Sequence, residues 1–304
     1  MSTATDFDLS TYMDAVRSEI DATLDQLLPP VDQRPSILHD AMRYSVFSGG
    51  KRIRPILCMA AWRACQDGNV PVDAPIPDYV SAAACAIELL HTYTLVHDDL
   101  PCMDNDDTRR GKPTAHIAYG EANALLSGDA LLTLAFEITA GADMAADAGQ
   151  GFATLDLARA AGSTGVVGGQ VVDLAAAGQS VTREDVNFIH LNKTAKLFQA
   201  ATTIGARLAG AQGSTLNALI AYGEKLGLAF QVVDDILDDL QDQREQPEEA
   251  SDPSLSCLSV MNMDEARSYA ARLTADATAA LADLDQTARR PLIAIVEQLE
   301  KREI

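Results

Sequence analysis

Hydrophobic residues recur at every third or fourth position over long stretches of the chain. This spacing forms one continuous face on an α-helix. We predict a helix in each of the four clearest windows, of which the first and third finish in aspartates. The windows are 79–100 (YVSAAACAIELLHTYTLVHDDL), 128–145 (GDALLTLAFEITAGADMA), 219–240 (LIAYGEKLGLAFQVVDDILDDL) and 264–284 (DEARSYAARLTADATAALADL).

The rest of the pattern favours a chain built from helices alone. No stretch alternates hydrophobic and polar residues long enough to build a sheet, and no linker rich in Pro, Gly and Ser divides the 304 residues. We therefore predict one all-α domain over 1–304, with helices around a central space. The polar, acidic segment Asp239–Ser256 contains two prolines, and we predict a mobile loop there.

Charge and cysteine content narrow the class of protein. The net charge of −21 makes nucleic acid and anionic membrane surfaces poor partners, so an anionic ligand needs a local basic cluster or a metal ion. Five cysteines without a C-x-x-C pair predict reduced thiols and a cytoplasmic location. The start MSTATDFDLS has no signal-peptide pattern, and no uncharged apolar run reaches the length of a membrane span.

Two clusters of aspartates lie at the ends of predicted helices. The first cluster consists of Asp98, Asp99, Asp104, Asp106 and Asp107, and the second of Asp234, Asp235, Asp238 and Asp239. Asp234 and Asp238 share one helix face at a rise of about 6 Å. Pro101 interrupts the earlier helix, which allows Asp104 to return to the face of Asp98. Sets of oxygen ligands predict Mg²⁺ rather than zinc.

Basic residues near these clusters are suited to phosphate. The candidates are Lys51, Arg52 and Arg54 of GGKRIRP (49–55), Arg109 and Arg110 after the first cluster, and Lys193 and Lys196 of NKTAKLF (192–198). The two lysines are spaced to point roughly the same way. His91 precedes Asp98 by about two helical turns, so it can face the same cavity.

Each feature also has a simpler explanation. An acidic run in an acidic chain is usually a solvated face, and this explanation suits Asp106 and Asp107 as well as a functional one. It suits DDILD less, because those carboxylates directly follow the apolar GLAFQVV. His91 alone would be an ordinary histidine, and Arg52 is interpreted as an ordinary surface cation. GGQ (168–170) is compatible with a helix kink or a close contact between helices.

Six motifs in order carry a resemblance to a known family. They are GGKRIRP, ELLHTYTLVHDDLPCMDNDDTRRGKPTAH, GEANALLSGDALLTLAFE, GGQVVDL, KTAKLF and GLAFQVVDDILD. The chain resembles the bacterial short-chain trans-isoprenyl diphosphate synthases of the farnesyl diphosphate synthase type. The resemblance runs from roughly Ala41 to Asp238 and more weakly beyond.

The resemblance implies an isoprenoid synthase fold, with helices around a deep central cavity, in a homodimer. It also implies a prenyltransferase that binds isopentenyl diphosphate and an allylic diphosphate, either dimethylallyl or geranyl, with three Mg²⁺ ions. The allylic C–O bond ionises, isopentenyl diphosphate attacks the cation, and a proton is lost to the departing pyrophosphate. Positive groups that neutralise the leaving group and an apolar cavity suit this chemistry.

Site residues follow from the resemblance position by position. The implied metal ligands are Asp98 and Asp104 with Asp99 in support, and Asp234 with Asp235 and Asp238. The implied isopentenyl diphosphate site contains Lys51, Arg54, His91 and Arg110. Arg109 and Lys193 are the implied contacts of the allylic diphosphate, Thr194 and Gln231 stabilise the cation, and Gln170 lines the cavity.

Product length depends on the floor of the cavity in this family. Tyr93 lies five residues before Asp98, and its ring would limit chain growth. The two extra residues Pro101 and Cys102 in the first motif mark the short-chain pattern. These residues favour the C15 product farnesyl diphosphate over the C20 product geranylgeranyl diphosphate.

The chain departs from the family after the second motif. Family members have two lysines there that help to bind the allylic diphosphate, whereas Asp239–Ser256 contains no lysine, and Ser254 stands at the second lysine position. Arg244 is a candidate substitute. A degenerate subunit that binds prenyl diphosphates without turnover therefore stays open as an alternative. A terpene cyclase is a further alternative, but it would not need Lys51, Arg54 and His91.

Overall fold

The computed structural model describes residues 7–66, 71, 74–146, 152–245 and 256–302. Helices dominate these residues, so the predicted all-α class is confirmed. The α-helices are α1 (Leu9–Leu27), α2 (Ser36–Val46), α3 (Ile53–Ala64), α4 (Asp78–Asp98), α5 (Ala115–Tyr119), α6 (Glu121–Ala145), α7 (Phe152–Ala161), α8 (Val166–Ala176), α9 (Arg183–Ile189), α10 (Lys196–Leu208), α11 (Gly213–Glu245), α12 (Met263–Ala280) and α13 (Arg290–Glu300). A π-helix (His190–Ala195), a 3₁₀ helix (Cys257–Ser259) and two short strands, β1 (Thr108–Arg109) and β2 (Lys112–Pro113), complete them.

Contacts group the chain into two compact units. The N-terminal unit comprises Ser10–Met59 and Pro75–Leu155, and the C-terminal unit comprises Met1–Leu9, Ala60–Ala74 and Asp156–Ile304. The prediction of one domain over 1–304 stays a prediction, and each unit is described by itself.

The core of the N-terminal unit is the pair α4 and α6. Helix α4 carries apolar residues on nearly every side, and such a helix is stable only when it is buried. Ile87, Leu89 and Leu90 are accordingly fully buried. Gly128 lets α6 approach α4 closely, because a Cβ there would lie 2.2 Å from Nε2 of His97.

Among the described residues, helices α4 and α6 are long and apolar enough to span a membrane by length and composition. Both contain charged residues, such as Glu88 in α4 and Asp129 in α6, so neither is the uncharged run that the sequence was predicted to lack. The most apolar window of α4 is 72% buried within the protein, as in the core helix of a globular fold. The corresponding window of α6 is 33% buried, and Leu125, Leu126 and Met144 are exposed on this helix. Helix α6 therefore exposes apolar side chains near both of its ends, with Asp129 and Glu137 exposed between them.

In the C-terminal unit α11 packs against α10 and α12. Tyr222 of α11 is fully buried and its hydroxyl donates to the carbonyl of Leu292, 2.8 Å away. Capping boxes start two neighbouring helices, with Thr182 and Asp185 at α9 and Asn262 with its N3 glutamate at α12. All four predicted windows lie largely within helices.

The loop predicted over Asp239–Ser256 is wrong at its start, because α11 continues to Glu245. Gln243 donates to the carboxylate of Asp239 one turn earlier, at 2.6 Å, so polar side chains support the last turns. Residues 246–255, including the position of Ser254, lie outside the described residues. Ser256 accepts from the backbone N–H of Leu258 and begins the 3₁₀ helix.

The five cysteines are free thiols in different environments. Cys58, Cys85 and Cys257 are buried and Cys65 is half-buried, whereas Cys102 is exposed. Burial raises the pKa of Cys58 and of Cys65 to about 12. It raises the pKa of Cys85 still further and that of Cys257 to about 12.

Candidate active site

The first aspartate cluster is shaped by the backbone at the end of α4. The helix ends at Asp98, and the N–H of Asp104 donates to the carbonyl of Asp98 at 2.8 Å. Asn105 has a φ of 57°, in the left-handed region that asparagine tolerates. The predicted return of Asp104 to Asp98 is therefore confirmed for the backbone. Asp104, Asp106 and Asp107 are exposed and Asp98 is half-buried.

A tight hairpin places the two arginines after this cluster. Thr108 pairs with Pro113 and Arg109 with Lys112 across β1 and β2. The two connecting residues, Arg110 and Gly111, have φ values of 54° and 75°, as a type I′ turn requires. Arg109 belongs to β1 and Arg110 to the turn, and the two arginines have different partners.

Arg109 holds the second aspartate of the first cluster. Its Nε donates to Oδ1 of Asp99 at 2.7 Å, and its Nη2 lies 3.4 Å from Oδ2 of Asp106. Asp99 is buried, so this ion pair compensates a charge that would otherwise be costly to bury. In this structure Asp99 orients Arg109, and its role as a metal ligand stays a prediction.

His91, Asp99, Arg109 and Arg110 line one cleft in the N-terminal unit, together with Tyr44, Ser45, Ser48, Glu88, Thr92, Leu95, Val96, Pro113, Thr114 and Ala115. Burial and the guanidinium groups of Arg54 and Arg110 lower the pKa of His91 well below its usual value. His91 is therefore neutral at neutral pH and can donate one hydrogen bond to an anion. The cleft contains polar and cationic groups suited to a diphosphate.

The loop before α3 determines where Arg110 lies. Arg110 donates to the carbonyl of Gly49, and its Nη1 lies 2.9 Å from where a Cβ on Gly50 would stand. Gly50 has a φ of 139°, so a side chain there would be strained as well as crowded. Lys51 is exposed on this loop and Arg54 is half-buried on α3.

The interpretation of Arg52 as a surface cation is wrong. The residue is 4% exposed and has a φ of 52°, which turns its side chain inward. Its guanidinium donates to Glu88 at 2.8 Å, to Asp21 at 2.9 Å and to the carbonyl of Val46 at 2.8 Å. Arg52, which directly precedes α3, therefore contacts α1, α2 and α4, and its ion pair with Glu88 is buried on both sides.

Tyr93 is buried in α4, and its role as the floor of a cavity stays a prediction. Its ring is 5% exposed and packs edge-on against His97, with centroids 5.5 Å apart. His97 lies 3.0 Å from the carbonyl of Leu125 of α6. The ring of Tyr93 thus packs against a histidine that itself contacts α6.

The second aspartate cluster lies inside α11 rather than in a turn. Oδ1 of Asp234 accepts from Nη1 of Arg302 at 2.6 Å. The guanidinium of Arg302 also stacks over Phe230, 5.2 Å from the ring centroid. A cation from the segment after α13 therefore contacts the principal predicted ligand of this cluster. Asp238 is exposed on the same helix.

Asp235 faces the interior and belongs to a hydrogen-bonded network. Its Oδ1 accepts from Nε2 of Gln231 at 2.8 Å, and its Oδ2 accepts from the N–H of Cys257 at 2.6 Å. Nε2 of His190 lies 3.3 Å from Oδ2. Burial opposes ionisation, but these donors outweigh it and lower the pKa of Asp235. Gln231 in turn accepts from the hydroxyl of Thr194 at 2.7 Å.

Lys193 belongs to the π-helix and contacts α8. Its Nζ lies 2.5 Å from Oδ2 of Asp173, whereas Lys196 donates to Gln199 of its own helix at 3.2 Å. The two lysines therefore do not share a partner, and their predicted common direction stays a prediction. Gly169 makes the approach possible, because a Cβ there would lie 2.4 Å from the backbone nitrogen of Lys193. The predicted close helix contact at GGQ is confirmed.

Gln170 is 8% exposed, and neither Nε2 nor Oε1 has a hydrogen-bond partner among the described residues. Buried amides without partners are uncommon in proteins, so this group is available to a ligand or to water.

Sequence reasoning missed Asp173 and His190. Asp173 stands in the motif GGQVVDL and His190 stands three residues before Lys193, so motif membership was the available signal. Their partners are distant in sequence, and periodicity does not reveal such pairs.

The donor set fits Mg²⁺. Its predicted ligands are carboxylates, and no group of three or more metal-ligating side chains occurs among the described residues. Mg²⁺ commonly uses one or two carboxylates and completes its shell with phosphate oxygens and water. The ion pair between the Arg302 guanidinium and Asp234 shows that this carboxylate already attracts a cation.

Comparison with known proteins identifies the family. A polyprenyl synthetase family profile matches residues 35–285. The chain is 39% identical over 304 residues to geranylgeranyl pyrophosphate synthase 7, chloroplastic, of Arabidopsis thaliana, covering 98% of this chain and 85% of that protein. It is 44% identical over 236 residues to a geranylgeranyl diphosphate synthase of Cyanophora paradoxa, covering 77% of this chain and 75% of that protein.

Solved structures agree with the sequence comparison. An FPP/GFPP synthase from Zymomonas mobilis superposes with a TM-score of 0.82 at 36% identity, covering 95% of this chain and 98% of that chain. A geranyltransferase from Legionella pneumophila gives a TM-score of 0.81 at 34% identity, with coverages of 97% and 96%. The resemblance inferred from the motifs and the all-α isoprenoid synthase fold are thereby confirmed, and the activity class is prenyl transfer. The chain belongs to the polyprenyl synthetase family.

Proposed function

We propose that the protein condenses isopentenyl diphosphate with dimethylallyl and geranyl diphosphate and releases farnesyl diphosphate. The buried ring of Tyr93 supports the choice of a C15 product. It lies in α4 about one and a half turns before Asp98, where it would stop the growing chain.

The chain's own residues support the steps of this reaction. Asp98, Asp104, Asp234 and Asp238 would hold Mg²⁺, which neutralises the charge that develops on the leaving diphosphate. Arg109 would contact the allylic diphosphate, as would Lys193. His91, Arg54 and Arg110 would bind isopentenyl diphosphate, with Lys51 completing that site from its exposed loop. Thr194 and Gln231 would direct oxygen lone pairs at the allylic cation, and Gln170 would line its cavity.

We also propose a homodimer in the cytoplasm. Leu125, Leu126 and Met144 are exposed apolar side chains on α6, and a second copy of the chain would cover them. The free thiols favour a reducing compartment.

A second candidate product is geranylgeranyl diphosphate, because the relatives found by sequence carry that name. A product assay separates the two. Purified protein, Mg²⁺ and labelled isopentenyl diphosphate are incubated with dimethylallyl, geranyl or farnesyl diphosphate, and chain lengths are resolved. The expected result is a C15 end product from the first two substrates. A C20 end product would assign the second candidate.

Tyr93 provides a matched pair of variants for the same assay. Tyr93→Ala should lengthen the product to C20 or beyond, whereas Tyr93→Phe keeps the ring and should keep C15. If Tyr93→Ala still stops at C15, the floor lies elsewhere. No turnover by the folded wild-type protein would reject the enzyme and favour the degenerate subunit that the lysine-free segment suggests.

A further inference from the structure

Asp235, the second aspartate of the second cluster, is placed differently from its neighbours. Asp235 is 7% exposed, and both of its carboxylate oxygens are within hydrogen-bond distance of protein N–H groups. His190 contributes a further nitrogen 3.3 Å away and is itself 4% exposed. These surroundings are those of a buried structural carboxylate, because the side chain is shielded from solvent and each oxygen already accepts from a protein N–H group.

The direction of every hydrogen bond along this network follows from the carboxylate. An ionised carboxylate only accepts, so Gln231 must turn its NH₂ group toward Asp235. The amide oxygen of Gln231 then faces Thr194 and accepts from the Thr194 hydroxyl. Since the only proton of that hydroxyl is used, the remaining lone pairs of Thr194 and Gln231 are left to interact with a positive charge.

We propose that Asp235 is a positioning residue that sets the orientation of the Gln231 amide and the Thr194 hydroxyl, so that both present oxygen lone pairs to the allylic carbocation. The inference rests on the proposed function, since that reaction supplies the cation. It replaces the predicted metal-ligand role of Asp235. Preorganised dipoles of this kind stabilise a charge without reorganisation during the reaction.

The substitution Asp235→Asn reverses the direction of the hydrogen bonds in the network and leaves the size of the side chain nearly unchanged. The oxygen of the introduced amide would keep the N–H of Cys257 as its donor, so the NH₂ of that amide would face Gln231. Gln231 would then turn its oxygen toward the introduced amide and its NH₂ toward Thr194. The Thr194 oxygen would accept, and its proton would point at the cation. The dipole is thereby reversed where the positive charge develops.

A second substitution restores the original direction. In the double variant Gln231→Glu with Asp235→Asn, the introduced carboxylate accepts from the introduced NH₂ and again accepts from Thr194. Steady-state kinetics with geranyl and isopentenyl diphosphate are measured for each variant, and single-turnover rates isolate the chemical step. Asp235→Asn is expected to lower kcat about 100-fold, the scale of losing a preorganised polar group. The double variant should recover at least about tenfold of that loss, with KM values within about threefold of wild type.

Two readouts separate positioning from metal binding and from simple stability. Mn²⁺ binding in the presence of inorganic diphosphate is followed by electron paramagnetic resonance. Asp235→Asn should bind Mn²⁺ with an affinity within about twofold of wild type, whereas Asp234→Asn should not. Thr194→Val should lower kcat about tenfold in the wild-type background. It should cause no further loss of kcat in the Asp235→Asn background, because there it removes the misdirected hydroxyl proton. Asp276→Asn, exposed on α12, is the control for an added amide.

The possible outcomes are distinguishable. If the wild type turns over but Asp235→Asn retains kcat within about threefold, loses Mn²⁺ as Asp234→Asn does, or is not rescued by Gln231→Glu, the inference is overturned. If Asp235→Asn does not fold, Gln231→Met tests the same network. Gln231→Met should lower kcat as much as Thr194→Val does, and the double variant should lose no more than either single variant. Additive losses of kcat would overturn the inference. An inactive wild type rejects the proposed function itself.

Discussion

The two aspartate clusters, both predicted to bind Mg²⁺, are built on different structures. In the first, a backbone turn brings Asp104 back to Asp98, and the carboxylates beyond Asp99 are exposed. In the second, a continuous helix displays Asp234 and Asp238 one turn apart, while Asp235 between them is buried in a network. The turn positions its aspartates through main-chain geometry, whereas on the helix each aspartate is placed by the contacts of its own side chain.

The first aspartate of each cluster gives the largest expected effect. Asp98→Asn and Asp234→Asn should each lower kcat about 1000-fold, because a carboxylate that neutralises the leaving group through its metal is lost. Steady-state rates and Mn²⁺ binding check this. Asp32→Asn, an exposed position of the N-terminal unit, should behave as wild type. Unchanged Mn²⁺ affinity in either variant would remove that residue from the ligand set.

The second aspartates should differ in what they control. Asp99→Asn releases Arg109, whose contact is worth roughly 10- to 100-fold in affinity on the scale of charge-assisted hydrogen bonds, so KM for the allylic diphosphate should rise. Arg109→Gln should give a similar rise, and the double variant should add little. Additive effects would show that Asp99 acts independently of Arg109.

His91 gives the cleft of the N-terminal unit a dependence on pH. Its pKa is lowered in the folded protein, so the unfolded chain binds its proton more readily. Stability should therefore fall as pH drops below about 6.5, by up to about 1.4 kcal/mol per pH unit. Melting measured from about pH 8 to about pH 5 should show this slope, and His91→Gln should flatten it. Equal slopes in both proteins would contradict the burial of a neutral imidazole.

Arg302 should give the smallest effect and concerns only the second cluster. Its pair with Asp234 is partly exposed, and such pairs contribute about 0.2–1 kcal/mol. Arg302→Gln should therefore tighten Mn²⁺ binding by at most about fivefold. Arg290→Gln removes a pair with Glu297 in the same unit and should leave the affinity unchanged. Weaker Mn²⁺ binding in Arg302→Gln would show that the arginine assists the site.

Sequence periodicity predicted the long helices well because burial imposes the spacing of apolar residues. The sequence also located the turn at Pro101, since proline cannot continue the helix. It failed for Arg52, because nothing in GGKRIRP shows which cation turns inward toward Glu88. It failed for the end of α11, because a bond such as Gln243 to Asp239 stabilises a helix without any apolar pattern.

The candidate site divides in the same way. Motifs identified Asp98, Asp234 and Lys193, because they stand in short runs of unusual composition. They did not reveal that Asp173 holds Lys193 or that His190 supports Asp235, since those pairs form only when separate helices pack. A short motif is enough to predict which residue is functional, whereas the orientation of its side chain depends on tertiary contacts.

The exposed Cys102 makes the first cluster accessible to selective chemical labelling. Maleimides react with thiolates, and burial keeps Cys58, Cys65, Cys85 and Cys257 protonated at neutral pH. A fluorophore or spin label would therefore attach in the turn between Asp98 and Asp104, without any engineered cysteine. The native chain carries its own attachment point for following that turn as metal and diphosphate bind.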